Sequence, residues 1–239
     1  MASGFFALLD DIASLMDDVA SMSKVAGKKT AGILGDDLAV NAEKASGFVS
    51  SREIPVLWAI TKGSLLNKLI ILPAVFLLSA YLPKAITVIL IIGGLYLAYE
   101  GAEKVWHYLF HRHEKKEVKG KGKVLSKKEV LDLEKKKIRS AIVTDFILSV
   151  EIIIIALSTV LGQPIEVQIG VVTVIALLAT VGVYGIVALI VRMDDFGYKL
   201  IAMNGGQSAI GEFFVRSLPK VIKALTVIGT IAMLLVAGG

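Results

Sequence analysis

The sequence predicts an all-α protein: a polytopic transmembrane helix bundle of about five spans, preceded by an amphipathic or re-entrant N-terminal helical region. Three observations predict this class. Hydrophobic residues make up 55% of the 239 residues, and the mean hydropathy is +0.74. The apolar residues are gathered into long runs, whereas a soluble domain spreads them at short periods. The charged residues lie mostly between these runs.

Five runs are apolar over the length that a bilayer requires, about twenty residues for a helix. The breaks between them hold residues that favour turns, Pro83 after the first run and Gly162 with Pro164 after the third. The predicted spans are Leu65–Leu82, Ala85–Tyr99, Ala141–Leu161, Ile165–Val191 and Val221–Ala237.

The distribution of charge predicts the orientation. Between Lys104 and Arg139 there are thirteen Lys or Arg against five Asp or Glu, and loops rich in Lys and Arg stay in the cytoplasm. We therefore expect a multi-pass protein of an inner or plasma membrane with this loop cytoplasmic, with the lipid bilayer as its partner and with no nucleic acid bound. Its predicted parts are an acidic N-terminal region (1–60), a transmembrane hairpin (61–103), a basic cytoplasmic loop (104–140) and a transmembrane region of about three spans (141–239).

Several classes of site are not expected. The chain has no cysteine, which excludes disulfides and thiolate metal sites. It has no phosphate-binding glycine loop, HExxH or nucleophile elbow, so we expect no enzyme, and no cofactor apart from a bound cation. An intramembrane aspartyl hydrolase is not favoured, because no Gly-Asp motif lies within a predicted span. The sequence leaves a homo-oligomer open.

The N-terminal region predicts an amphipathic helix, with apolar residues from Phe5 to Val19 at helical spacing. Its acidic face opposes adsorption to anionic lipid, so we expect it to pack against the protein's own spans. Aspartates seven residues apart share a face, which makes them candidates for an ion or proton pathway; a solvated surface is the alternative. These residues are Asp10, Asp11, Asp17 and Asp18.

Carboxylates within the third predicted span carry the main functional signal. An ionised group in hydrocarbon is costly, so it usually faces a bundle interior or a water-filled path. Glu151 precedes four isoleucines and lies about 9 Å deeper than Asp145. Ser149, one turn after Asp145, shares its face. We predict a cation or proton site at Glu151, Asp145 and Ser149; the alternatives are a protonated Glu151, a base on another helix, or a capping role for Asp145.

Two further acidic pairs are candidates for the same pathway. Asp36 and Asp37 follow Gly35, and Asp194 and Asp195 stand at the end of the fourth predicted span. Acidic pairs at membrane ends are also typical of a solvated surface. The identity of any metal stays open.

Several segments resemble the YedI-like family of uncharacterised bacterial inner-membrane proteins. They are FFALLDDIA (5–13), KKTAGILGDDLA (28–39), TDFILS (144–149) and DDFGY (194–198). The resemblance covers nearly the whole chain and implies a polytopic inner-membrane protein without an agreed activity. Family members commonly continue past the position of Gly239, so the resemblance leaves the final number of helices open.

A fainter similarity concerns one helix. Asp145 and Glu151 resemble the acidic residues that open a span in TerC-type metal exporters, with Glu where Asp is usual. The sequence thus favours a secondary transporter or channel-like protein for a cation, either a divalent metal or one that is proton-coupled. The alternative is a structural or regulatory membrane protein that binds partners through its N-terminal helix and basic loop.

Overall fold

The computed structural model describes residues 2–45, 50–110, 127–205 and 207–238. Within these ranges the regular structure is helical, which confirms the predicted all-α class. The six helices are α1 (Ala2–Ala45), α2 (Ser50–Tyr81), α3 (Pro83–Phe110), α4 (Lys127–Ser158), α5 (Ile165–Met203) and α6 (Ala209–Gly238).

Four of the described helices are long and apolar enough to cross a membrane, by their length and composition. The chain is therefore a helical membrane protein. The four segments are Arg52–Tyr81, Pro83–Trp106, Leu131–Ser158 and Ile165–Met203, and each contains one of the first four predicted spans or most of it. The predicted fifth, Val221–Ala237, lies in α6, which is not among these four.

Two helices begin earlier than hydropathy predicts. The proposed boundary at residue 60 falls inside α2, and α4 begins at Lys127, within the predicted loop. The reason is that polar residues at these helix starts bind each other: Arg52 Nε donates to Glu134 Oε2 at 3.0 Å. A hydropathy window excludes such residues from a span although they continue its helix. The middle of the predicted loop, 111–126, lies outside the described residues.

Contacts between helix ends show that the helices alternate in direction. Near the ends that flank 111–126, Lys44 of α1 donates to the Ser140 carbonyl of α4 at 3.2 Å. At the opposite end, Ser79 of α2 donates to Gln168 of α5 at 2.7 Å. We call these the loop end and the turn end, because the short connections at 82 and 159–164 lie at the second.

Helix α1 runs inside the bundle from the turn end to the loop end. Val19 lies against Gly170 near the start of α5, where an added Cβ would come within 2.6 Å of Val19 Cγ2. Further along, a Cβ on Gly229 of α6 would lie 2.6 Å from the Asp36 backbone. The expected packing of α1 against the other helices is therefore present from Val19 onward, while residues 5–14 are exposed.

The apolar core has two parts. One surrounds Ile33, Ile153 and Val171 towards the turn end, and the other surrounds Val56 and Val187 towards the loop end. Along α1, α2 and α4, buried polar residues lie between the two apolar parts. This polar layer holds the candidate site.

Candidate functional site

The polar layer collects buried hydrogen-bonding and charged side chains from four helices. Each is at most 8% exposed, although charged residues are rarely buried without a partner. The members are Asp36, Asp37, Asn41, Ser64, Asn67, Lys68, Asp145, Ser149, Glu151 and Tyr184.

Helix α4 divides this layer into two sites. Asp145 and Glu151 are six residues apart, so at about 100° per residue they point about 120° apart around the helix axis. Each acid therefore meets different neighbours. We refer to the Asp145 site, which faces α2 and α5, and the Glu151 site, which faces α1 and α3.

In the Asp145 site the carboxylate accepts hydrogen bonds from three side chains on two other helices, α2 and α5. Tyr184 Oη and Ser64 Oγ donate to Oδ1 at 2.8 and 2.7 Å. Asn67 Nδ2 donates to Oδ2 at 2.9 Å. Three directed hydrogen bonds hold the Asp145 carboxyl group in one orientation.

A base also faces Asp145. Lys68 Nζ of α2 lies 3.8 Å from Asp145 Oδ1 and donates to Ser64 Oγ and Ser149 Oγ at 2.9 Å each. Both members of the pair are buried, at 6% and 1% exposure. Asp145 is therefore paired with a base from another helix, one of the alternatives for a buried acid. Ser149, a predicted site residue, accepts a hydrogen bond from that base.

The Asp145 network extends to α1. Asn41 Nδ2 donates to Asp37 Oδ1 at 2.6 Å, and Asn41 Oδ1 lies 3.4 Å from Tyr184 Oη. Polar contacts thus lead from Asp37 through Asn41 and Tyr184 to Asp145. The candidate Asp37 belongs to this site.

The Glu151 side chain has no such partners. It is 8% exposed, and neither of its carboxylate oxygens has a hydrogen-bond partner among the described residues. It interacts electrostatically with Glu100, Asp36 and Lys104. A buried carboxylate that nothing satisfies calls for an explanation, because leaving one unpaired is costly.

Lys104 is the base of the Glu151 site, but its hydrogen bonds go to other acids. Its Nζ donates to Asp36 Oδ1 and Oδ2 at 2.9 and 2.8 Å and lies 3.0 Å from Glu100 Oε1. An ammonium has three N–H donors, so these contacts occupy all of them. The site therefore contains three carboxylates and one base, and Glu151 is the acid that the base does not reach.

The structure does not bring the other candidates to these sites. Asp10, Asp11, Asp17 and Asp18 are exposed, and Asp17 precedes Asp36 by nineteen residues of one helix, about 28 Å. These four aspartates do not share a site with Glu151, because Asp10 and Asp11 lie in the exposed first turns of α1 and the Asp17 and Asp18 side chains are exposed. Asp195 is half-buried near the loop end of α5, and the Asp194 side chain lies outside the described residues.

The structure adds residues that the sequence reasoning missed. Lys104 opens the predicted basic loop and Lys68 lies at the start of the first predicted span, yet both bind buried acids. The spacing held a signal: Ser64, Asn67 and Lys68 stand at i, i+3 and i+4 and share a face. Glu100 and Lys104 are likewise one turn apart on α3.

Metal ligation is a separate question. Within the described ranges, no group of three or more His, Asp or Glu is placed to hold a metal ion.

The chain belongs to the DUF808 family, described as a protein of unknown function, and the match covers residues 3–239. No curated protein and no solved structure matches the chain. The family fixes the chain's relationships and leaves its activity to be inferred from the site.

Proposed function

We propose that this protein is a secondary transporter or channel-like protein for a cation, and that the Glu151 site lies on the cation's path. One observation carries the proposal: a buried carboxylate in a candidate span with neither oxygen hydrogen-bonded. An ionised carboxylate in hydrocarbon costs at least about 2.5 kcal/mol. A proton or a cation that joins Glu151 removes this cost, so the site gains from being occupied.

The chemistry of the ligand follows from the donor. Carboxylate oxygens bind hard cations, and they also accept protons. A divalent metal ion and a proton-coupled cation both meet the requirement. The similarity to TerC-type exporters is in keeping with a metal, and the YedI-like resemblance with an inner-membrane location.

The location and orientation of the protein are also proposed. We place the protein in the bacterial inner membrane with residues 104–140 cytoplasmic, since the loop is basic and the turns at the other end are nearly neutral. The proposed role needs no enzyme activity, no nucleic acid and no cofactor beyond the carried cation. It is compatible with one copy or with a homo-oligomer.

The test is flux in proteoliposomes. Glu151→Gln keeps the shape of the side chain and removes its charge, so we expect proton or cation flux to fall by about tenfold or more. Glu166→Gln is the matched control, because Glu166 is exposed at the start of α5. Folded Glu151→Gln protein that carries cations as fast as wild type contradicts the proposal.

A second candidate function has its own observation. The first turns of α1 expose large apolar side chains beside exposed aspartates, and these side chains are Phe5, Phe6, Leu8, Leu9 and Ile12. Such a surface is typical of a binding segment, so a structural or regulatory role through this helix is the alternative. Deleting residues 3–14 spares the packed part of α1. Under this alternative a co-purifying partner is lost on deletion, and the wild-type protein shows no flux.

A further inference from the structure

We propose that Lys104 is a built-in counter-cation that sets the charge of the ion accepted at Glu151. With Lys104 in place, the site takes a single positive charge, a proton or an alkali-metal ion. The inference rests on the proposed function and deepens it by naming the substrate class.

The first step is the pairing of Lys104. Its ammonium contacts both carboxylate oxygens of Asp36, at 2.8 and 2.9 Å, and Asp36 is only 1% exposed. An ammonium that binds both oxygens of a buried carboxylate neutralises that acid. Lys104 therefore occupies the position that a bound cation would take beside Asp36.

The second step is the charge that remains. Glu100 shares Lys104, and its side chain is 26% exposed, so solvent also stabilises it. Glu151 is 8% exposed, and its oxygens have no hydrogen-bond partner in the described part of the chain. Within the Glu151 site one deeply buried negative charge is thus uncompensated, and one positive charge neutralises it. The neighbouring Asp37, which also acts on Glu151 electrostatically, belongs to the Asp145 site through its hydrogen bond with Asn41.

The third step is that Asp36 is fixed in place. Gly229 of α6 leaves no room for a Cβ, which would lie 2.6 Å from both the Cα and the N of Asp36. Asp36 therefore does not withdraw towards α6 when its partner is removed. A change in the charge of the Glu151 site must therefore be balanced by the ions that it binds.

The balance of buried charges in the Glu151 site predicts how Lys104→Met should behave. Removing the ammonium raises the uncompensated buried charge from one to two, which favours a divalent cation. The experiment measures Mn²⁺ binding to the purified full-length protein by electron paramagnetic resonance. We expect Lys104→Met to bind Mn²⁺ about tenfold or more tightly than wild type, because opposite charges attract strongly where water is scarce.

Two further variants serve as controls for the effect of buried charge on Mn²⁺ affinity. Asp36→Asn with Lys104→Met removes one charge of each sign and should bring Mn²⁺ affinity back towards wild type. Lys62→Met removes an exposed ammonium that lies over Trp58 of α2 and should leave Mn²⁺ affinity unchanged. Folded Lys104→Met protein that binds Mn²⁺ no better than wild type overturns the inference, as does tight Mn²⁺ binding by wild type.

If Lys104→Met fails to fold, Asp36→Asn tests the same balance of charges from the other side. It frees Lys104 to neutralise Glu151, so flux driven by pH, Na⁺ or K⁺ gradients should fall by about tenfold or more. The three gradients distinguish a proton from an alkali-metal ion. Unchanged flux in Asp36→Asn overturns the inference alone, whereas wild-type protein that carries no proton, Na⁺, K⁺ or Mn²⁺ overturns the proposed function itself.

Discussion

The Asp145 site and the Glu151 site lie in one polar layer, on one helix, and differ in how their carboxylates are satisfied. Asp145 accepts hydrogen bonds from Tyr184, Ser64 and Asn67 and faces Lys68. Glu151 has no hydrogen-bond partner among the described residues. A satisfied buried acid holds helices together, whereas an unsatisfied one gains free energy from a ligand. On this difference we base the proposal that the first site is mainly structural and that the second binds an ion.

The largest expected effect tests the structural side of this comparison. Asp145→Ala leaves Lys68 buried without its carboxylate, which should destabilise the protein by about 3–5 kcal/mol. Unfolding in mixed micelles, followed by circular dichroism, measures the loss. Adding Lys68→Met to Asp145→Ala should recover much of it, because no buried charge is then left alone. An Asp145→Ala protein as stable as wild type would show that the pair is not structural.

A smaller effect is expected behind the Glu151 site. Gly229→Val introduces atoms where even a Cβ lies 2.6 Å from the Asp36 backbone, so α1 and α6 must separate. Overpacking of this kind costs about 1–3 kcal/mol. Gly185→Val is the matched control, since an added Cβ there meets nothing within 4 Å. Equal stability of the two variants would mean that α6 does not fix the position of Asp36.

The smallest expected change in stability is at Glu151 itself. Glu151→Gln removes a buried charge and no hydrogen bond, so its unfolding free energy should stay within about 1 kcal/mol of wild type or rise. Asp145→Asn, which alters a hydrogen-bonded network, is measured for comparison. The difference between the two unfolding free energies then distinguishes the roles of the two sites. A large loss of stability in Glu151→Gln would indicate that Glu151 supports the fold, against its proposed role in ion binding.

The sequence was sufficient for the fold class because hydropathy acts over whole helices. It also singled out Glu151 and Asp145, since an acid amid isoleucines has no local explanation. Helices α2 and α4 continue beyond the predicted apolar spans, and there Arg52 and Glu134 bind each other across the bundle. A pairing between residues 82 positions apart leaves no mark in a hydropathy window.

The partners of the two acids were harder to predict, for a related reason. Lys68 and Lys104 stand near predicted span ends, where a lysine usually faces the cytoplasm. Only the packing of α2 on α4, and of α3 on α4 and α6, turns their ammonium groups towards buried acids. For the early aspartates, a solvated surface was the alternative to a place on the pathway. Asp10 and Asp17 share a face, but that face lies on the exposed part of α1.

Adjacent residues of α1 take part in both sites: Asp36 binds Lys104, and Asp37 joins the network of Asp145. Neighbours in a helix are about 100° apart, so Asp36 and Asp37 point in different directions from α1. Because one turn of backbone carries both, a rotation of α1 that moved Asp36 away from Lys104 would also move Asp37 and Asn41 relative to Tyr184 of α5. A movement of α1 would therefore alter both sites at the same time.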